Sequence, residues 1–289
     1  MPKIGIIGGS GLNNIEGLKD VKGVEVETPF GKPSDKFICG VLDGREIAFL
    51  PRHGVGHRIL PTELNYRANI YGMKKLGVER IISISTVGSF KKELKPLDIL
   101  VVSQFVDRTN QSRKTTFFGE GIAGHIPFAE PICSELSGIL YEAGKNVGAT
   151  MHRKGTYLNM EGPAFSTIAE SHLYKSWGMD VIGMTNMPEA RLSREAEICY
   201  STLAMITDYD SWRLEEEGGP SVVTIDLIIQ NLNKNAETAK RLIREALKRI
   251  PDERSCPCKD TLKYSIVTRK DLIPKKRRKE LDIIIGKYL

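Results

Sequence analysis

Four groups of hydrogen-bond donors follow apolar segments of this 289-residue chain. They read GGSG at 8–11, PRHG at 51–54, STVGS at 85–89 and MTN at 184–186. Hydroxyls, glycine N–H groups, an arginine fork and a histidine are donors suited to a doubly charged tetrahedral oxyanion. The sequence has no triphosphate-binding loop, which favours free phosphate as the anion. Each group taken alone also fits a turn, a surface pair or a helix start.

The first glycine cluster, GIIGGSGL at 5–12, does not define its ligand by itself. Gly9 and Gly11 fit the dinucleotide fingerprint G-x-G-x-x-G, but Asn14 stands where the third glycine is needed. A tight structural turn is an equal alternative, because glycine serves any position with positive φ. Beside the other three donor groups, the cluster favours one inorganic phosphate over a dinucleotide.

A fifth group is acidic and suits proton transfer. Asp208 and Asp210 follow an apolar segment, and alternate residues of an extended chain point to the same side. One carboxyl group can then protonate a leaving nitrogen while the other accepts from an amino group. Donors for phosphate at one end and paired carboxylates at the other indicate cleavage of a substrate between them. Aspartate is common at turns, so a loop start is the alternative.

Hydrophobic patterning predicts the elements that position these groups. Strands are predicted at 3–7, 37–42, 46–50, 80–84, 99–104, 181–183 and 202–207. Helices are predicted over 63–76, 132–147, 166–177, 188–200 and 224–250, with Ser166 as the N-cap of the third. This alternation, with an early hairpin at Asp43-Gly44, predicts an α/β fold with a mixed, largely parallel central β-sheet flanked by helices. Ligands of such folds bind beyond the carboxyl ends of strands.

Composition sets the domain organisation and the expected location. The chain is 40% hydrophobic and 27% charged, and it has neither a signal-peptide pattern nor an apolar stretch near the roughly 20 residues of a membrane span. We therefore expect a cytoplasmic protein, with a catalytic domain over 1–250 and a helical C-terminal appendage over 251–289. The basic run PKKRRK at 274–279 is interpreted as a solvated tail, because no aromatic residues interleave with it.

Five cysteines are present, and no metal site is predicted from them. Cys39, Cys133 and Cys199 stand singly in apolar surroundings and are interpreted as small buried hydrophobic residues. Cys256 and Cys258 form a C-x-C pair with no second pair near them in the sequence. This isolation argues against a four-ligand zinc site and leaves a redox pair or a strained disulfide open.

Taken together, the motifs resemble the trimeric branch of the purine nucleoside phosphorylase superfamily. The likeness runs from residue 4 to about residue 250, through GIIGGSGL, PRHG, STVGS, QFVDRT, GHIPFAEP, EGPAFST, GMTNMPEARL and TDYDSW in that order. It implies a nucleoside phosphorylase fold and inorganic phosphate as co-substrate, with no metal and no organic cofactor. It also implies a homotrimer or a hexamer made of two trimers, with neither nucleic acid nor membrane as partner.

The resemblance implies roles for particular residues. The phosphate would be bound by Ser10, Arg52, His53, Ser85, Thr86 and Thr185. The nucleoside would be bound by Phe165, Ser166, Met184, Asp208, Asp210, Ile225, Ile228, Ile229 and, from a neighbouring subunit, His125. Asp208 would hydrogen-bond N7 of the purine and act as the acid, and Asp210 would receive the 6-amino group. Phe165 would stack near the base, although an aromatic residue taken alone is more often part of a core.

The same resemblance narrows the substrate. Members that prefer 6-oxopurines usually present Glu and Asn where this chain has Ser166 and Asp208. A carboxylate accepts from an amino group and repels a 6-oxo oxygen, which favours adenine. The apolar side chains of Ile225, Ile228 and Ile229 favour a methylthio group over a 5′-hydroxyl. The implied reaction is reversible phosphorolysis of 5′-methylthioadenosine to adenine and 5-methylthioribose 1-phosphate, in purine and methionine salvage. A broader purine nucleoside phosphorylase or a methylthioinosine phosphorylase is the alternative.

Overall fold

The computed structural model describes residues 1–9, 16–110, 113–216 and 225–289, without the side chains of 215, 216 and 225–227. Within these ranges one mixed sheet holds β1 Ile4–Gly8, β2 Lys19–Val24, β3 Phe37–Leu42, β4 Arg45–Pro51, β5 Arg80–Ser89, β6 Ile99–Val101, β7 Gln104–Arg108, β8 Met151–Arg153, β9 Thr156–Met160, β10 Val181–Gly183 and β11 Cys199–Tyr209. The helices are α1 Tyr66–Lys75, α2 Ser134–Asn146, α3 Ile168–Ser176, α4 Asn186–Glu195, α5 Arg213–Glu216, α6 Ile225–Arg249, α7 Lys275–Glu280 and α8 Asp282–Ile285, with 3₁₀ turns at Pro257–Asp260, Lys270–Leu272 and Gly286–Tyr288. The predicted mixed sheet with flanking helices is confirmed.

Strand β5 is the branch point of the sheet, because it pairs with three other strands. β1 and β11 flank it in parallel, and β10 pairs antiparallel with its last residues, Gly88 and Ser89. Outward from β5 the sheet continues as β1-β4-β3-β2 on one side and β10-β9-β7 on the other, while β6 and β8 lie beyond β11. Parallel strands share a direction, so the carboxyl ends of β1, β4 and β11 meet at one edge.

Strands β2, β8 and β9 were not predicted, and the two long strands, β5 and β11, extend beyond their predicted bounds. β5 continues beyond the predicted end at residue 84, so Ser85 and Thr86 lie within the strand rather than after it. The extension is stabilised by β11, which pairs with β5 along its whole length. β11 begins at Cys199, where the sequence predicts the last turn of a helix over 188–200. At both places, pairing between strands outweighs the local hydrophobic pattern of the sequence.

Helix α6 buries the apolar face that the sequence predicts. Its side chains Ala239, Leu242, Ile243 and Leu247 pack in the core against apolar residues of β1, β4 and β5. This packing fixes the helix across the sheet edge where the donor groups converge. Within the described ranges, no helix has the length and apolar character needed to cross a membrane.

The C-terminal segment, residues 251–289, packs against the rest of the chain. Leu262, Leu281 and Ile285 are buried in one core with Ile70 of α1. Arg277, from the basic run, is also buried and donates to the Phe117 carbonyl at 2.9 Å. The interpretation of the run as a solvated tail is therefore wrong at Arg277, because the Phe117 carbonyl and the Glu280 carboxylate accept hydrogen bonds from its guanidinium in the interior.

Candidate active site

A cavity of about 430 Å³ lies where the strand ends converge. Its wall includes residues of β5, β10, β11 and α6, together with Arg52 and His53, which directly follow β4. The cavity brings together these residues predicted from the sequence: Arg52, His53, Ser85, Thr86, Phe165, Met184, Thr185, Asp208, Asp210 and Ile228. Donors suited to phosphate and the paired carboxylates therefore share one enclosed space.

Five further predicted residues are not among those that the structure places in the cavity wall. Ser10 and the side chain of Ile225 lie outside the described residues. Ile229 is 48% exposed and is absent from the wall, because adjacent residues of an α-helix point about 100° apart and Ile228 takes the inward position. Ser166 lies just behind the wall, and exposed His125 lies outside the cavity formed by its own chain.

Arg52 is held by a carboxylate that the sequence analysis missed. Its Nε and Nη2 donate to Glu189 at 2.5 and 3.1 Å, and its Nη1 donates to the Ile84 carbonyl at 2.8 Å. Burial opposes the charge of the guanidinium, but Glu189 more than offsets this and raises the pKa of Arg52. The ion pair carries no net charge. Arg52 therefore offers an oriented donor to an anion rather than a free positive charge.

The Arg52–Glu189 pair is anchored in a buried hydrogen-bond network. Ser83 and Tyr200 donate to Glu189 at 3.0 and 2.9 Å, and Ser83 also accepts from Arg52 at 2.7 Å. These bonds join β5, α4 and β11 to the segment that follows β4. An acidic residue within the largely buried helix α4 is the sequence signal for such a pair, because charges are rarely buried without a partner.

His53 is positioned as a proton acceptor rather than as the donor that the sequence predicts. Its Nδ1 contacts the Ile59 carbonyl at 2.8 Å, so this nitrogen carries the proton. Burial, with contributions from Arg52 and His57, lowers the pKa of His53 to about 4. The ring is therefore neutral near pH 7, and Nε2 has a free lone pair. His57 stacks on it with ring centres 4.3 Å apart.

The carboxylates at the other end of the cavity are placed by a bulge in β11. The pairing of β11 with β5 shifts register between Ile206 and Asp208. Two asparagines of α6 stabilise this irregularity: Asn231 donates to the Thr207 carbonyl at 2.8 Å, and Asn235 donates to the Ile206 carbonyl at 2.9 Å. The sequence analysis missed both asparagines. They stand four residues apart on a predicted helix, and this spacing indicates that both lie on the same helix face.

Asp208 has the titration behaviour of a general acid. Burial raises the pKa of Asp208 to about 6, a hydrogen bond from Thr207 opposes the rise, and the nearby Asp210 adds to it. The Thr207 hydroxyl donates to one carboxyl oxygen at 2.6 Å. A pKa near 6 keeps a protonated fraction available close to neutral pH, as proton donation to a leaving group requires.

Asp210 is oriented by Ser166, which does not cap a helix. The Ser166 hydroxyl lies 2.7 and 2.6 Å from the two carboxyl oxygens of Asp210. The N-cap of α3 is the next residue, Thr167, in a capping box with Glu170. Burial raises the pKa of Asp210, and the bond from Ser166 works against that shift. The carboxylate keeps lone pairs for a further donor such as an amino group.

A buried arginine joins the two segments at the cavity mouth. Arg113 donates to the carbonyls of Met184 and Glu161, and its Nε contacts the Glu161 carboxylate at 2.9 Å. Arg113 was not predicted as a site residue, because no sequence pattern distinguishes it from a surface arginine. Phe165 lines the same mouth and is 71% exposed. Its alternative interpretation as a core residue is therefore wrong, and its ring is free to contact a ligand.

An α/β sheet that joins phosphate donors to a carboxylate pair in one cavity defines a phosphorylase of the nucleoside type. Residues 3–248 match the Phosphorylase superfamily, and the chain belongs to that family. It is 58% identical to the S-methyl-5′-thioadenosine phosphorylase of Geobacter sulfurreducens, over 99% of both chains. A crystal structure of a methylthioadenosine phosphorylase from an antarctic soil metagenomic library is 44% identical, with a TM-score of 0.92 over 98% of each chain.

A further solved structure contains a bound nucleoside. It is a point mutant of the adenosine/methylthioadenosine phosphorylase of Schistosoma mansoni in complex with methylthioadenosine. That protein is 33% identical to this chain, with a TM-score of 0.84 over 94% of this chain and 100% of its own. The likeness therefore extends well beyond the motif-bearing segments.

Proposed function

We propose that this protein catalyses the reversible phosphorolysis of 5′-methylthioadenosine, giving adenine and 5-methylthioribose 1-phosphate. The observation that carries the proposal is the single cavity in which Arg52, His53 and Thr185 are brought together with Asp208 and Asp210. The names of the relatives that are 58% and 44% identical to this chain support the same reaction. Inorganic phosphate is the co-substrate, and the proposed reaction needs no metal and no organic cofactor.

At the phosphate end, the chain orients the nucleophile. Thr86 and Thr185 supply hydroxyl donors, Ser85 is held by Tyr157 at 3.1 Å, and Arg52 adds an oriented N–H. Neutral His53 accepts a hydrogen bond at Nε2 from the remaining O–H group of hydrogen phosphate. This acceptor increases the negative charge on the phosphate oxygens, which then stabilise an oxocarbenium-like ribose and capture its C1′.

At the base end, Asp208 gives its proton to N7 of adenine, so that the purine leaves without a full negative charge. Asp210, oriented by Ser166, accepts from the 6-amino group and places N7 against Asp208. The exposed ring of Phe165 supplies a flat apolar surface at the mouth for the base. Ile228 and Leu232 of α6 line an apolar part of the same cavity, which suits the methylthio group.

The proposal extends to the quaternary structure and the cellular location of the protein. We propose a cytoplasmic homotrimer in which His125 of one subunit approaches the 5′ end of the nucleoside in the next. Exposure of both His125 and Phe165 in the single chain supports this arrangement. A hexamer made of two trimers would present the same contact.

A nucleoside panel tests the reaction directly. Methylthioadenosine, adenosine, inosine and methylthioinosine are incubated with and without phosphate, and base release is followed by chromatography. We expect phosphate-dependent release, with the largest kcat/KM for methylthioadenosine. Equal kcat/KM for inosine would instead establish a broad purine nucleoside phosphorylase, and release without phosphate would establish a hydrolase.

Replacing Asp210 is expected to change the preference for the base. In Asp210→Asn the amide Nδ2 can donate to a 6-oxo oxygen, which the carboxylate repels. We expect the ratio of kcat/KM for methylthioadenosine over methylthioinosine to fall by about 10- to 100-fold, the range of one good polar contact. Asp43→Asn is the control, because Asp43 pairs with Arg244 far from the cavity. An unchanged ratio in Asp210→Asn would contradict the amino-group contact.

A further inference from the structure

Four cysteines that are distant in the sequence meet inside the protein. The Sγ atoms of Cys133, Cys199, Cys256 and Cys258 all lie within 4.8 Å of one another, and all four side chains are buried. Cys133 precedes α2, Cys199 opens β11, and the CPC pair opens the C-terminal segment. The sequence interpretation of isolated cysteines is therefore wrong, because the fold supplies the second pair that the sequence does not show.

We propose that this four-cysteine cluster binds one Zn²⁺ ion through four thiolates. In a tetrahedral site with Zn–S bonds of about 2.3 Å, the sulfur atoms stand about 3.8 Å apart. The cluster fits this geometry, since the Sγ atoms of Cys199 and Cys256 lie 3.2 Å apart and no Sγ separation in the cluster exceeds 4.8 Å. An all-sulfur tetrahedral donor set selects zinc among the common divalent ions.

Other thiol chemistry fits the cluster less well. A disulfide requires sulfur atoms about 2.05 Å apart, and the five cysteines are all unpaired. Two disulfides would not require all four Sγ atoms to lie close together, whereas here all of them lie within 4.8 Å of one another. An iron–sulfur cluster places several iron and sulfide atoms between its cysteines, so its ligands stand farther apart than those of a single ion.

When the site binds zinc, one Zn²⁺ ion replaces four protons. Four thiols and Zn²⁺ give a tetrathiolate complex with a net charge of −2 and release four protons. Apolar side chains of α2 and α6, including Leu136, Leu140 and Leu247, share the core with the four cysteines and keep water away.

The position of the cluster indicates a structural role. None of the four cysteines lines the active-site cavity, so the proposal does not rest on the proposed reaction. The ion would join α2 and β11 to the start of the C-terminal segment, which otherwise packs through apolar contacts and hydrogen bonds. β11 carries Asp208 near its other end, so the zinc would fix the base of the strand that positions the acid.

Metal analysis of the purified full-length chain tests the site. After gel filtration in buffer containing EDTA, we expect inductively coupled plasma mass spectrometry to find about one equivalent of zinc per chain. The double variant Cys256→Ser/Cys258→Ser is expected to lose it. Cys39→Ser is the matched control, because Cys39 lies on β3 outside the cluster and should retain full zinc. Equal zinc in the double variant would overturn the assignment.

A second measurement on the unmodified protein does not depend on how the variants fold. Titration with a mercurial thiol reagent should release the zinc in step with modification of four buried thiols, as detected by a coloured zinc chelator. Cobalt exchanged into the site should give the absorption bands of a tetrahedral tetrathiolate. The proposal is overturned if the purified chain holds no zinc, whether its mass then indicates two disulfides or five free thiols.

Discussion

Replacing Asp208 with asparagine is expected to lower kcat for phosphorolysis of methylthioadenosine by about 10²- to 10⁴-fold, the usual contribution of general acid catalysis. The amide keeps the size of the carboxyl group and can still donate a hydrogen bond to N7, but it cannot transfer a proton. The measurement is the rate of adenine release at saturating phosphate and nucleoside. Because binding contacts are largely retained, KM should change much less than kcat.

The pH profile separates loss of the acid from a general disturbance of the site. Asp208 must be protonated to act, and its pKa is raised to about 6, so kcat/KM of the wild-type protein should fall as pH rises through about 6. Asp208→Asn should lack this fall. In Thr207→Val, loss of the hydrogen bond that lowers the pKa should move the fall to higher pH. Near-normal turnover in Asp208→Asn, or an unchanged profile, would contradict the acid role.

Replacing Glu189 with leucine is expected to reduce the free energy of unfolding by about 3–5 kcal/mol, because it leaves the charge of Arg52 buried without a partner. Both side chains are almost completely buried, so water cannot compensate the loss. Urea denaturation of the variant and the wild-type protein measures the effect. The KM for phosphate should rise as well, since Glu189 fixes the orientation of the Arg52 donor.

A double variant distinguishes stability from function at this position. Arg52→Met combined with Glu189→Leu removes both charges and replaces them with apolar groups of similar size, which is often close to neutral for stability. We therefore expect the double variant to recover most of the unfolding free energy while the KM for phosphate stays high. If Glu189→Leu alone has the same free energy of unfolding as the wild-type protein, the buried Arg52–Glu189 pair does not stabilise the fold.

Much of the fold is predictable from local patterns. Runs of β-branched residues identified the strands Phe37–Leu42 and Val181–Gly183 with their observed bounds, and the apolar stripe identified α6 to within a residue at each end. Strand β2 was missed because its side chains are mostly exposed and charged, which leaves no apolar alternation to detect. The branch at β5 depends on three partner strands and has no local signature.

Local sequence patterns predicted site residues only where polar side chains follow an apolar, strand-like segment. The types and order of the polar groups identified a minority of the residues that line the cavity, among them Arg52, Thr185 and Asp208. Glu189, Arg113, Asn231 and Asn235 were missed because each acts through a buried contact with a residue far away in the chain. The donor role expected of His53 also changed, since the carbonyl that fixes its tautomer is visible only in the folded protein.

The sequence by itself determined the alternation of strands and helices, the family resemblance and the chemical types at the strand ends, because these are properties of neighbouring residues. Only the tertiary structure decided which charges are buried together and how the carboxylates are tuned. It also decided that Cys133 and Cys199 meet the CPC pair. Such contacts join residues separated by long stretches of chain, and their energies depend on burial and distance, which spacing along the sequence does not specify.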